Sequence, residues 1–237
     1  MVASTVNSVD LQKFAFFDGL STSDLNHITT IIRQTRYVQG EYLFNTGESA
    51  HSLFLLIGGM VKVSFISIDG DEKVLDIFEA GDVLGDLWLG KYRHRIGQAM
   101  ALDDVTVYKL TEDNLHNLIQ RCPSLGINFI RRQADEQREM FARMHALLRA
   151  DAKCRLLGTL LSLARHHCCA DGKTFTLNPL ITQEDLANMT GLNRSTVSSI
   201  INKLRRQEVL GGTGRSLTVY VGAVEQILED EGFELLE

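Results

Sequence analysis

The sequence contains no apolar run approaching the ~18 residues that a membrane-spanning helix needs. Its first residues, MVASTVNSVDLQKF, lack the basic region and apolar stretch of a secretory signal. A cytoplasmic location, with no membrane partner, is therefore expected. Cysteine is scarce: Cys122, Cys154, Cys168 and Cys169 are the four, with none before Cys122. Without a secretory signal they read as reduced thiols. The neighbouring His166, His167, Cys168 and Cys169 lack the spaced pairs of a structural zinc site, so they read as a helix end entering a loop. There is no phosphate-cradling P-loop and no nucleophile–base motif, which argues against an enzyme. An excess of positive charge is missing as well. A net charge of -6 is the wrong sign for a general nucleic-acid coat.

What is present is ordinary in bulk and informative in order. Hydrophobic residues make up 44% and charged residues 23%, which fits a folded chain of one large or two moderate domains rather than a disordered one. LSTSDLNHITTIIRQT predicts a short helix, with Ser21 or Ser23 as its cap. From about Tyr37 to Leu110 short β-type runs (SLFLLIGG, MVKVSFIS, KVLDIF, TVYKL) alternate with glycine and acidic turns. That texture predicts a small barrel or sandwich, with Asp69-Gly70 in a tight hairpin.

From Glu112 the pattern becomes helical, with a break near Pro123. The clearest period follows: Ile127, Ile130, Ala134, Gln137, Phe141, Met144 and Leu148 step by three and four in alternation. This is the seam of a coiled coil with one polar member, while Arg131, Asp135, Glu136, Arg138, Glu139 and Arg143 lie away from it. Because the helix links two regions of different texture, the seam is read as the contact between two copies in a parallel homodimer. Beyond it, CRLLGTLLSLARHH predicts an amphipathic helix and ADGKTFTLNPL a loop or hairpin. The acidic EQILEDEGFELLE predicts a solvated terminal helix.

ITQEDLANMTGLNRSTVSSIINKLRRQ satisfies the demands of a helix-turn-helix. Ala187 is small where the helices cross, Gly191 accepts a left-handed backbone, and Val197, Ile200, Ile201 and Leu204 form the apolar stripe. Thr182 is placed to cap the first helix and Asn193 the second, with Glu184 and Asp185 at the first helix's positive end. The predicted DNA-facing set is Thr182, Gln183, Asn193, Arg194, Ser195, Thr196, Ser199, Asn202, Lys203 and Arg206. Arg194, Ser195, Ser199 and Asn202 sit where base edges come within reach. Lys203, Arg205 and Arg206 read as phosphate or solvent residues. EVLGGTGRSLTVYV then supplies two β-type runs around a glycine-rich turn, a wing with Arg215 at its tip. From Thr182 to Arg215 five basic residues face three acidic ones, a local excess of two. Modest local charge suits a specific reader of paired half-sites.

GEYLFNTGESAHSLFLLIGGMVKVSF, EAGDVLGDL and ITQEDLANMTGLNRSTVSSIINKL together resemble, in order and spacing, the CRP/FNR transcriptional regulators. The resemblance spans nearly the whole chain. It implies an α+β fold: a jelly-roll-like double-stranded β-roll effector domain over 1–125, a dimerisation helix over 126–150 and a winged helix-turn-helix domain over 151–237. It further implies a homodimer on double-stranded DNA with a palindromic operator, RNA polymerase as a candidate partner, and a small-molecule effector or cofactor in the roll.

The implied effector pocket comprises Gly85, Asp86, Leu87, Trp88, Arg95, Ile96, Met140 and Phe141. Where cyclic-nucleotide-binding members have glycine-glutamate-leucine and arginine-serine-alanine, this chain has Gly85-Asp86-Leu87 and Arg95-Ile96-Gly97. Asp86 is a methylene short, Ile96 has no hydroxyl, and Met140 and Phe141 stand where polar residues would read adenine. Each lost hydrogen bond to a buried ligand costs about 1–3 kcal/mol, so tight cyclic-AMP binding is not expected. With no N-terminal cysteine cluster, no iron–sulfur centre is expected either. Haem-dependent gas sensing stays open, with His51, His94 and His116 as the conceivable ligands, though no pair has a diagnostic spacing. The alternative of another class is a cyclic-nucleotide-binding module acting on a protein partner. Ser195 and Ser199 replace the glutamate and arginine usual in the recognition helix, which implies an operator different from that of the best-known members.

Overall fold

The computed structural model describes residues 8–85, 90–91, 93–148, 151–166, 173–214 and 216–232. Their contacts divide the chain into two compact units, 1–135 and 136–237, with the division inside a long helix.

The first unit opens with α1 (Ser8–Leu11) and α2 (Thr22–Ile31), the latter capped by Ser21, whose side chain accepts from the amide of Asp24. Eight strands follow: β1 (Arg33–Tyr37), β2 (Tyr42–Phe44), β3 (Ser52–Gly58), β4 (Val61–Ile66), β5 (Glu72–Phe78), β6 (Val83–Leu84), β7 (Gln98–Ala101) and β8 (Val105–Thr111). They form two four-stranded antiparallel sheets, ordered β1-β8-β3-β6 and β2-β7-β4-β5. The β4–β5 connection spans Ser67 to Asp71, so it is a five-residue loop rather than the tightest hairpin. Gly70 takes its left-handed position with φ 87°.

The near-continuous apolar text of SLFLLIG reflects burial on both faces of β3. Phe54 and Leu56 join Val61, Leu84, Ala99 and Val107 in a core drawn from both sheets. Leu53 and Leu55 point the other way, into a second core with Phe14, Phe17, Leu25 and Ile28. Period-2 alternation is what lets one strand feed two cores.

Two helices follow: α3 (Glu112–Arg121) and α4 (Pro123–Leu147). One face of the early part of α4 is tied to the first unit. Leu125 is fully buried, the Asn128 amide donates to the carbonyls of Phe16 and Asp18, and Arg132 donates to the carbonyl of Val83. That anchoring turns the other face outward. All seven seam residues, Ile127, Ile130, Ala134, Gln137, Phe141, Met144 and Leu148, are exposed on the single chain.

The second unit contains α5 (Ala152–His166), β9 (Thr174–Leu177), α6 (Gln183–Thr190), α7 (Arg194–Arg206), β10 (Leu210–Gly211), β11 (Leu217–Tyr220) and α8 (Val221–Asp230). The loop-or-hairpin segment before α6 becomes β9, which pairs antiparallel with β11 in a sheet ordered β10-β11-β9. The terminal helix is solvated on one side only. Val224 and Leu228 of α8 are fully buried, and α8 packs on α5. Among the described residues, no helix is long and apolar enough to cross a membrane.

Candidate nucleic-acid interface

The interface is built on α6, which starts at a capping box. Thr182 Oγ1 accepts from the Asp185 amide at 3.1 Å, and the Asp185 carboxylate accepts from the Thr182 amide at 2.9 Å. Such caps contribute about 1 kcal/mol. Asp185 is buried, so its charge is spent on this box and not on the outer surface. The helix ends at Gly191, whose φ of 65° and ψ of 25° lie in the left-handed region, and its amide donates to the carbonyl of Ala187. Space is open around a Cβ added there, so the need for glycine comes from the backbone alone. Ala187 is buried, and the Thr190 hydroxyl donates back to the carbonyl of Leu186 at 2.7 Å.

The turn delivers α7. Asn193 stands at its N-cap but makes no side-chain cap hydrogen bond. Val197, Ile201 and Leu204 are fully buried, each contributing about 1.5–3 kcal/mol, and Ile200 is half-buried at the edge of that stripe. The same rotation exposes Asn193, Arg194, Ser195, Ser199, Asn202, Lys203 and Arg206, while Thr196 is half-buried. On α6, Thr182 is exposed and Gln183 half-buried. A cleft of about 560 Å³ lies between these elements. Thr182, Gln183 and Arg194 line it beside Ile181, Leu186 and Leu217.

Arg205 departs from its reading as a phosphate or solvent residue. It is half-buried, and its guanidinium donates to the carbonyl of Ser216 in the wing at 2.8 Å. Its position in the run KLRR gives no hint of this, because the partner is a backbone carbonyl across a turn. Arg215 lies outside the described residues.

The effector set lies in both units. Arg95 is buried and bidentate toward the roll itself, donating to the carbonyls of Gly85 at 2.6 Å and Ser52 at 2.9 Å. Its guanidinium also lies 4.3 Å from the ring centre of Phe44. Gly85 must be glycine here: its φ is 88°, and a Cβ would sit 2.8 Å from an Arg95 nitrogen. Ile96 is exposed, as are Met140 and Phe141 on α4. Asp86, Leu87 and Trp88 lie outside the described residues, as do His167, Cys168 and Cys169.

His51, His94 and His116 are all exposed. The His51 ring meets the Ser49 hydroxyl at 2.6 Å, His94 meets the carbonyl of Gly47 at 3.2 Å, and His116 meets Gln120 at 2.8 Å. A buried polar network went unread in the sequence. Lys62 on β4 donates to Glu72 on β5 at 2.9 Å, and the Ser64 hydroxyl donates to the same carboxylate at 2.7 Å. Its trace is a cation inside the apolar run of β4 and an anion at the start of the neighbouring β5.

Two family descriptions match this chain: a cyclic nucleotide-binding domain over residues 34–122 and a Crp-like helix-turn-helix domain over residues 154–221. An effector-type β-roll joined to a DNA-binding helix-turn-helix defines a one-chain transcription regulator. The chain belongs to the CRP/FNR family of transcription regulators. It is 24% identical to the CRP-like cAMP-activated global transcriptional regulator of Mycobacterium tuberculosis, over 88% of this chain and 93% of that one. It is 25% identical to the fumarate and nitrate reduction regulatory protein of Salmonella typhi, over 84% of this chain and 80% of that one. Its fold matches FixK2 from Bradyrhizobium japonicum with a TM-score of 0.72 at 22% identity, covering 83% of this chain and 96% of the other.

Proposed function

We propose that this chain is a homodimeric, sequence-specific regulator that reads a palindromic operator through Arg194, Ser195, Ser199 and Asn202. The observation that carries this reading is the division of α7. Three apolar residues hold it to its domain, while the polar residues of its first turns stand exposed beside a wing. Thr182, Gln183, Asn193, Thr196, Lys203, Arg206 and Arg215 complete the interface around phosphates and base edges. The exposed seam of α4 supports a twofold dimer, and twofold symmetry sets half-sites about one helical turn apart. RNA polymerase is the candidate protein partner of the DNA-bound dimer.

For the effector we infer a ligand other than cyclic AMP. Arg95, the residue for a cyclic phosphate, already donates to two carbonyls and stacks on Phe44, and Ile96 offers no hydroxyl beside it. The two relatives above carry names tied to different signals, so shared ancestry alone does not choose one.

Selection from random double-stranded DNA with purified protein, with and without cell extract, tests the reading. Enrichment of a palindrome, lost in Arg194→Ala, is the expected result. No enrichment under either condition refutes it. Absorbance and mass analysis of small molecules released from protein purified without added ligand tests the effector; release of cyclic AMP would overturn that part.

A further inference from the structure

A side-chain hydrogen bond joins the recognition helix to the wing at the backbone carbonyl of Ser216. Arg205, in the last turn of α7, donates to it at 2.8 Å. The same oxygen leaves no room on its other side: a Cβ on Gly212 would sit 2.4 Å from it. Gly212 has φ 84°, so both its backbone and its lack of a side chain are required there. The Ser216 amide meanwhile closes the wing turn on the carbonyl of Thr213 at 3.0 Å.

We propose that Arg205 is a positioning residue that locks the wing onto the recognition helix, so that both meet one DNA segment as a single rigid reader. The proposal rests on the regulator reading above and adds how its two DNA-facing parts are held together.

The wing needs such an anchor. β10 pairs with β11 at only two positions, Leu210 with Val219 and Gly211 with Thr218, and the turn from Gly212 to Ser216 lies beyond that ladder. β9 backs β11 only from Leu217 onward, so the ladders of the sheet stop short of this turn. A charged donor makes a stronger hydrogen bond than a neutral one, and its planar fork loses little freedom on docking. Arg205 Nε is shielded from solvent and makes no hydrogen bond, a cost that the contact with Ser216 partly offsets. Arg205 is half-buried and spends one guanidinium nitrogen on the wing, whereas Lys203 and Arg206 beside it are exposed.

The test uses the full-length protein and a selected operator, comparing wild type, Arg205→Met, Arg205→Lys, Gly212→Ala and the Arg205→Met/Gly212→Ala double variant. Arg205→Met is expected to weaken binding about tenfold, the loss of one charge-assisted hydrogen bond. The slope of log affinity against log salt should fall by about 1, as a wing phosphate contact is lost. Half-site base preference should not change. Arg205→Lys should restore most of the affinity. Gly212→Ala should reproduce the defect, with the double variant no worse than the worse single one, because both act through one carbonyl. In the free protein the Leu217 amide resonance should move in Arg205→Met, which a residue acting only on phosphate would not cause.

Unchanged affinity and salt slope in Arg205→Met would overturn the proposal. So would fully additive losses, or a Lys variant as damaged as the Met one. Failure of the wild type itself to bind any DNA is a separate result, and it removes the regulator reading first.

Discussion

Replacing Ile130 by Glu is expected to dissociate the chain into monomers. Ile130 is 64% exposed on the single chain, a large apolar side chain facing water near the start of the seam. Burying a whole isoleucine is worth roughly 1.5–3 kcal/mol, so covering this exposed portion is worth about 1–2. Twofold symmetry counts it twice, giving about 2–4 kcal/mol, or a roughly 30- to 1,000-fold weaker self-association. Two carboxylates brought close together across the axis add to the loss. Sedimentation equilibrium over a range of concentrations reads the result directly, because the monomer has a mass of 26.5 kDa. Arg131→Gln, one residue off the seam, should sediment as wild type. Circular dichroism should show unchanged helix content in both. The reasoning fails if Ile130→Glu keeps the wild-type mass, or if the wild type is already monomeric at micromolar concentration.

Other consequences are equally direct. Gly191→Val forces a branched residue into a left-handed turn at a cost of about 1–2 kcal/mol, and calorimetry should record a Tm lower by several degrees. The Arg93 guanidinium hydrogen-bonded to Glu112 holds that carboxyl below the usual carboxylate range, with His51 adding a smaller pull. A depressed folded-state pKa gives stability that is present above the unfolded value and lost as pH falls through the folded one. Arg93→Gln should therefore raise the Glu112 titration, followed by carboxyl-carbon NMR, back toward the ordinary carboxylate range, and any stability it removes should be lost at neutral and alkaline pH and not in acid, where Glu112 is protonated in both proteins. Burial pushes the Cys154 thiol up to about 11, with Asp151 adding to the effect. Iodoacetamide at pH 8 should spare Cys154 in the native protein and label it after denaturation, as read by peptide mass spectrometry.

Much of the candidate interface was legible before any coordinates, because its signals are local. Thr182 as a cap, Gly191, and the spacing of Val197, Ile201 and Leu204 each follow from hydrogen-bond closure, backbone sterics or a 3.6-residue period, although the bond from the Thr182 amide to the Asp185 carboxylate went unread. The seam was legible for the same reason. Arg205 was not, because nothing along the chain tells a guanidinium that faces a carbonyl eleven residues away from one that faces a phosphate. Arg95 was read by its place in a family pattern, yet its partners are the carbonyls of Ser52 and Gly85 on another strand and a following loop. The expectation of a solvated terminal helix holds for one face and left out Leu228, which is buried, since acidic text describes only the face that stays wet.

The sequence by itself determined what depends on neighbours within a few residues: the helices and their ends, the left-handed turn of the helix-turn-helix, the strand-rich texture of the roll and the seven-residue seam. Tertiary structure alone decided which face of α4 is tied down and which is left bare, and it committed Arg95, Arg205 and the Lys62–Glu72 pair to partners within the fold. The reason is physical. A period or a cap is written in residues that touch through one turn of backbone. The fate of a charge is set by which distant acceptors folding brings within about 3 Å of it.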